Sequence, residues 1–432
     1  MTSDLRTSPA PAALRRPLFR PLLRRTAGVV LLVLAVAVSP FLAAVAALAA
    51  AAGTARIPLV LAAAAVVSLG GSYLVSRLAG RVLRLSRRRA TAVAVAAAST
   101  AVTALVAAQT VLAPLAVPAL AAERAPAGRW QLPTGSELAY EHLPAVGTPR
   151  PHPVVLLHGG PGTPGSGLDA LGGPIAARGF DVYAYDQIGA GRSARLTDPA
   201  DYTVERNVAD LEAVRQTLGA QRLVLVGTSW GATLAASYLA AHSDRVAGVV
   251  FVSPGALWSP AWVDDGEGDV WDRVPPAAER RLDELTDSSR LTAWSLLLQV
   301  NPEAAHALVG DDEVDALFAE VLRTVASAGT CDPAKPVQYT GGRPGFYANQ
   351  LVTEDELERP DPRPALRTVR TPALVLRGSC DYKRPEIVAE YATTIPGAVL
   401  QEVPGAGHLI RVDQPQAYTS AVLGFLNGLD RP

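Results

Sequence analysis

Ser229 stands in Gly227-Thr228-Ser229-Trp230-Gly231, between an apolar run, Leu223–Val226, and a helix-like segment, Thr233–Ala241. A serine with glycine two residues away on each side fits a sharp strand-to-helix turn. Such a turn lifts the hydroxyl above a sheet edge, at a helix N-terminus where free N–H groups and partial positive charge collect. A serine hydroxyl is a weak nucleophile until a base takes its proton. In a strand–helix architecture the expected chain order is serine, then acid, then histidine. Beyond Ser229, His306 lies on a helix-like stretch, whereas His408 lies in the flexible run Pro404-Gly405-Ala406-Gly407-His408 after the last predicted strand. A loop there can bring an imidazole back over the sheet, so His408 is the expected base. The acid is expected where the preceding strand ends, and Leu374-Val375-Leu376-Arg377-Gly378-Ser379-Cys380 leads to Asp381. A buried carboxylate at that point holds the imidazole tautomer and favours the imidazolium. Asp413, beyond His408 and out of order, reads as a turn residue. The chemistry this set supports is acyl transfer through a serine.

Two further loops follow strands. His158-Gly159-Gly160-Pro161-Gly162 follows Val154–Leu157. Its glycines let backbone N–H groups approach a ligand, giving half of an oxyanion hole whose other half is the Trp230 N–H. The sequence does not single out the donor glycine; Gly160 is the first choice. His158 itself reads as a structural group beneath the loop. The loop lacks the G-K-[ST] ending and the G-x-G-x-x-G spacing of nucleotide-binding motifs, and no nucleic-acid partner is expected. Asp186-Gln187-Ile188-Gly189-Ala190-Gly191-Arg192-Ser193 reads as a turn tied by an Asp–Arg pair.

The elements that must position these loops alternate. Strands are predicted at 154–157, 181–185, 223–226, 246–252, 373–376 and 399–403, after a hairpin from Trp130 to Leu143. Val208, Leu211, Val214 and Leu218 mark one face of a helix over 204–218. This alternation implies an α/β fold with a mostly parallel sheet covered on both faces. Between about 256 and 365 the alternation stops. The insertion carries helical pieces at 277–285, 291–300 and 313–326 and four of the six tryptophans, and it reads as a helical lid.

The ordered set H-G-G-P-G, D-Q-x-G-x-G-R-S, G-x-S-W-G, late Asp and G-x-G-H resembles the α/β-hydrolase superfamily, and within it the proline iminopeptidase family of serine aminopeptidases. The resemblance covers about residues 130–428. It implies Ser229 as nucleophile, Asp381 as orienting acid and His408 as base, with oxyanion donors at Gly160 and Trp230. It implies no metal or organic cofactor, and a short peptide or other small molecule as substrate. Family members bind the free amino terminus through lid carboxylates, for which Glu303 and Glu320 are candidates by location. The same scaffold and triad also serve carboxylesterases and, without catalysis, binding proteins. Epoxide hydrolysis and dehalogenation on this scaffold need a carboxylate where Ser229 stands.

The resemblance leaves out the first 122 residues, and the charge balance isolates them. The chain's net charge is -1, yet residues 1–122 hold 13 arginines and one acid, Asp4, while residues 123–432 hold 26 basic and 39 acidic side chains. A basic half of +12 against an acidic half of -13 points to a membrane or another polyanion beside the former. Residues 26–55, 57–76 and 90–122 are uncharged, and each is long enough for the roughly 20 apolar residues of a membrane-spanning helix. Pro114 and Pro118 end the third near residue 113. Arg6, Arg15, Arg16, Arg20, Arg24 and Arg25 precede the first span, and Arg77, Arg81, Arg84, Arg87, Arg88 and Arg89 follow the second; only Arg56 lies between the first two. Basic loops stay cytoplasmic, so the expectation is a multi-pass plasma-membrane protein, residues 1–122 in the membrane and residues 123–432 outside. Ala119-Leu120-Ala121 has the small-x-small form of a cleavage site, the alternative to a retained anchor.

Two cysteines in 432 residues exclude a disulfide-dense scaffold, and 49% hydrophobic residues exclude a disordered chain. Cys331 and Cys380 both fall in the part placed outside, where a disulfide is permitted. It would tie the lid to the loop of Asp381, closing about 50 residues for roughly 4 kcal/mol by chain entropy. Two unpaired thiols are the alternative. The oligomeric state is open.

Overall fold

The computed structural model describes residues 19–120, 123, 125–165, 167–339 and 341–429. Arg6, Arg15 and Arg16 of the orientation argument, and Ala121 of the cleavage-like tripeptide, lie outside the described residues. The chain divides into two compact units. One reaches to Ala113 and takes in Gln299–Ala304; the other comprises Pro114–Leu298 and the chain from Ala305 onward.

The first unit contains α1 (Phe19–Ala51), α2 (Ile57–Val82) and α3 (Arg88–Thr110). All three are long and apolar enough to cross a membrane. α3 stops at Thr110 rather than near 113, and its last turn is closed by the Val111 and Leu112 N–H groups on the Ala107 carbonyl. The faces these helices turn to one another are small and polar. Ser68, Ser72, Ser76, Ala79, Ala92, Ala96 and Ser99 are buried, and Ser39 and Ser68 hydroxyls pair at 2.6 Å. Close approach is required: a side chain at Gly71 would meet Leu42 at 2.1 Å.

The second unit is built on an eight-stranded sheet: β1 (Gly128–Gln131), β2 (Glu137–Leu143), β3 (Val154–Leu157), β4 (Val182–Tyr185), β5 (Leu223–Thr228), β6 (Val246–Val252), β7 (Ala373–Gly378) and β8 (Val399–Val403). The spatial order is β1-β2-β4-β3-β5-β6-β7-β8. The β1–β2 hairpin joins antiparallel, and every pair from β4 to β8 is parallel. β3 and β7 are buried along their whole length, which explains why they read as continuous apolar runs and not as alternation. The helices α4 (Asp169–Ala176), α5 (Val204–Thr217) and α6 (Trp230–Ala241) follow β3, β4 and β5.

After β6 the chain leaves the sheet for α7 (Pro276–Thr286), α8 (Ser289–Val300), α9 (Pro302–Leu308), α10 (Asp311–Val325), α11 (Phe346–Glu358) and α12 (Arg363–Leu366). It then completes the sheet with β7, α13 (Pro385–Thr394) and β8, and ends in α14 (Ile410–Asp413) and α15 (Pro415–Gly428). Charge and aromatic packing fix α10 and α11. The Asp315 side chain, fully buried on α10, pairs with Arg195 at 2.9 Å and Arg343 at 2.8 Å and accepts the Phe346 N–H. The Trp294 indole donates to the Tyr347 hydroxyl at 2.8 Å, and that hydroxyl donates to the Val309 carbonyl.

Candidate active site

β5 runs into α6 through Ser229, whose backbone has φ 53° and ψ -121°. That left-handed region is sparsely populated for a residue with a Cβ, and strain of this kind marks functional turns. The flanking glycines are required sterically. A Cβ at Gly227 would lie 2.2 Å from the Gly231 carbonyl oxygen, and one at Gly231 would lie 2.3 Å from that of Leu157. The elbow therefore packs directly on the end of β3. The glycine loop that follows β3 runs beside it: a Cβ at Gly159 would come within 3.3 Å of Ser229 Cβ and 3.9 Å of its Oγ. Next to it, the Gly160 N–H makes no hydrogen bond among the described residues. The Trp230 N–H, at the first position of α6, has no acceptor inside its helix.

His408 and Asp381 are both buried, and the imidazole Nδ1 lies 2.9 Å from Asp381 Oδ1. The Lys383 N–H donates to the same oxygen at 3.0 Å. Burial alone raises the pKa of Asp381, but His408, the Lys383 amide and the neighbouring Ser253 hydroxyl outweigh it and hold the carboxyl below its ordinary value. The Tyr382 ring stacks on the imidazole at 4.4 Å between centroids. Ser229 and His408 line one cleft. No hydrogen bond joins them, and such bonds are often long until substrate is bound. His306 lies elsewhere, bonded to Asp311 at 2.9 Å. His242, which also follows Ser229, closes the end of α6 against Tyr238.

The groups beneath the loops behave as their sequence suggests. His158 Nδ1 donates to the Gly159 carbonyl, and Nε2 accepts the Gln187 N–H at 2.9 Å. Burial pushes its pKa down, which keeps the ring neutral and able to accept. Gln187 in turn donates to the His158 carbonyl and accepts the Trp230 indole N–H at 2.8 Å. One side-chain network thus links the glycine loop, the turn after β4 and the elbow. Asp186 holds Arg192 at 2.7 Å, closing that turn.

Cys331 and Cys380 are disulfide-bonded, with Cα atoms 5.1 Å apart, which settles the alternative left open above. The bridge ties the residue before Asp381 to the segment after α10. Arg273 spans both sides of it, donating to the carbonyls of Cys380, Thr330 and Cys331.

The cleft has a volume of about 750 Å³. Phe318, Val321, Leu322 and Val325 of α10 form an apolar wall with Val270 and Trp271. Trp271 is half exposed there, whereas Trp258 and Trp294 are hydrogen-bonded packing residues. Glu303 is exposed and Glu320 pairs with Arg323, and neither lines the cleft. The acids that do are Asp186, already paired, and Asp269. Asp269 went unread in the sequence because it lies in an irregular stretch, Asp264–Asp272, whose acids resemble any solvated turn.

An elbow serine, a buried His–Asp pair and a glycine loop on a mostly parallel sheet define an α/β hydrolase. The chain belongs to the α/β-hydrolase fold family, whose model matches residues 152–415. Within that family it is proline iminopeptidase-like, and it is a hydrolase. It is 24% identical over 307 residues to a proline iminopeptidase of Heyndrickxia coagulans, covering 68% of this chain and 97% of the relative. It is 31% identical over 288 residues to a proline iminopeptidase of Xylella fastidiosa, covering 61% of this chain and 85% of the relative. A solved thermophilic esterase from Thermogutta terrifontis is similar at 23% identity and a TM-score of 0.47, covering 71% of this chain and all of the other.

Proposed function

We propose that this chain is a membrane-anchored serine aminopeptidase that removes the N-terminal residue of short peptides. The observation that carries the proposal is the strained Ser229 elbow in the same cleft as a buried His408–Asp381 pair. Ser229 Oγ attacks the carbonyl carbon while His408 Nε2 accepts its proton. Asp381, on the Nδ1 side, holds the ring in the tautomer that leaves Nε2 free and stabilises the imidazolium. The oxyanion is received by the N–H groups of Gly160 and Trp230. These act before any reorganisation, and loss of one such donor slows acyl transfer roughly 100- to 1,000-fold. The imidazolium then gives its proton to the leaving amine, and water releases the acyl-enzyme by the same steps in reverse.

The proline iminopeptidase relatives support peptide substrates. The apolar wall suits a compact side chain, and Asp269 supplies a charge for an ammonium group. The helical insertion at about 256–365 serves as the lid on a catalytic domain of residues 123–432. Residues 1–122 form the anchor. Its pattern supports lipid and not water as the surroundings: Val33, Val66 and Leu74 are exposed to 63–69%, while serines and alanines are buried. Lipid gives no drive to bury large apolar groups between helices, so small residues pack there and large ones face outward.

The test is a fluorophosphonate probe on the full chain in detergent, followed by a panel of aminoacyl arylamides and short-chain aryl esters. Wild type is expected to label and Ser229→Ala to stay unlabelled, with prolyl arylamide the best substrate. Equal labelling of both proteins, or of neither, sinks the hydrolase assignment of Ser229. Preference for aryl esters replaces the aminopeptidase with a carboxylesterase.

A further inference from the structure

The mechanism leaves one polar atom of its own machinery without a use. Asp381 Oδ1 accepts from His408 and from the Lys383 amide, whereas Oδ2 is buried and has no partner that meets hydrogen-bond geometry. Buried carboxylate oxygens are expensive to leave unpaired, because the charge has lost its water without replacement.

A second orphan belongs to a neighbour, Ser253, whose hydroxyl is among the groups that hold the Asp381 carboxyl below its ordinary value. Ser253 is wholly buried, and its Oγ also has no hydrogen-bond partner among the described residues. The backbone explains how it arrives there. Ser253 is the residue after β6, the strand between the elbow strand and the strand of the acid. The Val252 carbonyl accepts the Ser229 N–H at 2.8 Å, and the Ser253 N–H donates to the Leu376 carbonyl at 2.8 Å. The Val252–Ser253 peptide is thus held between the elbow and β7, the strand that leads to Asp381, by one hydrogen bond on each side. Its φ is 43°, in the left-handed region that favours glycine, yet the residue is not glycine. A site that wanted only the turn would be served without a side chain. What serine adds over glycine is a hydroxyl, and Asp381 Oδ2 lacks a donor.

We propose that the Ser253 hydroxyl is a positioning group, donating to Asp381 Oδ2 and so fixing the carboxylate plane that orients His408. It touches no reacting atom and acts through Asp381. The inference rests on the proposed triad, and the experiment separates its failure from that of the triad.

The rate of fluorophosphonate labelling and the kcat and KM for prolyl arylamide are measured for wild type, Ser253→Ala, Ser253→Gly, Asp381→Asn and the two double variants. Ser253→Gly relaxes the backbone, so it stays folded even where Ser253→Ala does not. Both Ser253 single variants are expected to lower kcat and the labelling rate by about 10- to 100-fold, as for loss of one hydrogen bond to a charge, with KM within about two-fold. In the Asp381→Asn background the same substitutions are expected to add less than about two-fold, because the group they served is gone. A wild type that does not label removes the triad itself. A labelled wild type with either serine variant within about two-fold of it, or with equal effects in both backgrounds, overturns the role of Ser253 and leaves the triad standing.

Discussion

On the cleft wall, Asp269 carries a charge that no arginine, lysine or histidine pairs with among the described residues. The side chain is exposed, and one of its oxygens accepts the Trp271 N–H at 3.1 Å. It lines the same cleft as Ser229, His408 and Tyr382, the ring that stacks on His408. Nearby Glu267 is not available, because Lys383 holds it at 2.9 Å. Asp269→Asn is therefore expected to raise KM for prolyl arylamide about ten-fold with little change in kcat, and to leave hydrolysis of an aryl ester lacking an amine unchanged. The contrast between the two substrates is the readout; an equal loss on both assigns Asp269 to the loop's shape instead. The elbow serine and the paired Asp381 and His408 were marked in the sequence because each follows a predicted strand and chain order constrains the set. Asp269 and Ser253 were not. The roles proposed for them depend on how an irregular stretch folds back and on the β5–β6–β7 register, and neither leaves a local periodicity to read.

Elements with a continuous apolar run or a marked polar–apolar period were readable, and those shaped by their neighbours were not. β3, β6 and β8 fall where the sequence places them, and α7, α8 and α10 match the three helical pieces within two residues. α4 was missed, because Asp-Ala-Leu-Gly-Gly-Pro-Ile-Ala has the propensity of a loop; burial of Leu171 and Ile175 against the sheet overrides it. α11 was also missed, and it carries a titratable group of consequence. Glu356 on that helix has its pKa pushed up to about 7, first by burial and then by Glu267 and Asp355, with Arg359 and Lys383 offsetting only part. Between its ordinary value near 4.5 and about 7, the folded chain holds a proton that the unfolded chain releases. Stability contributed by this group therefore falls as pH rises through that window. Above it the wild type carries a stability penalty that a neutral side chain there does not. Glu356→Gln is expected to match wild type in thermal midpoint near pH 5 and to exceed it at pH 8, measured in the same detergent. An advantage equal at both pH values would falsify the assignment.

Across the whole molecule, the two charge halves set the final question, which is where the hydrolase stands relative to the bilayer. Arg24 and Arg25 lie near the start of α1, and the arginines from Arg77 to Arg89 cluster around the α2–α3 connection, while Arg56 alone marks the α1–α2 turn. On the proposed reading, three spans with both basic clusters inside would leave the chain after α3 outside. The Cys331–Cys380 bridge agrees with that side on separate grounds, since cytosolic reductants keep most such pairs open. Exchange of the -13 half across the membrane costs little in itself, because acidic residues weigh far less than basic ones in setting orientation. The arginines should therefore decide. A periplasm-type phosphatase reporter fused after residue 125 is expected to be active, and the same reporter fused within 77–89 inactive. Replacing the six arginines of that loop with glutamine is expected to weaken the contrast. Activity in the loop fusion with none after residue 125 would reverse the orientation and place the disulfide-bonded hydrolase in the cytoplasm, where the bridge would have to resist reduction.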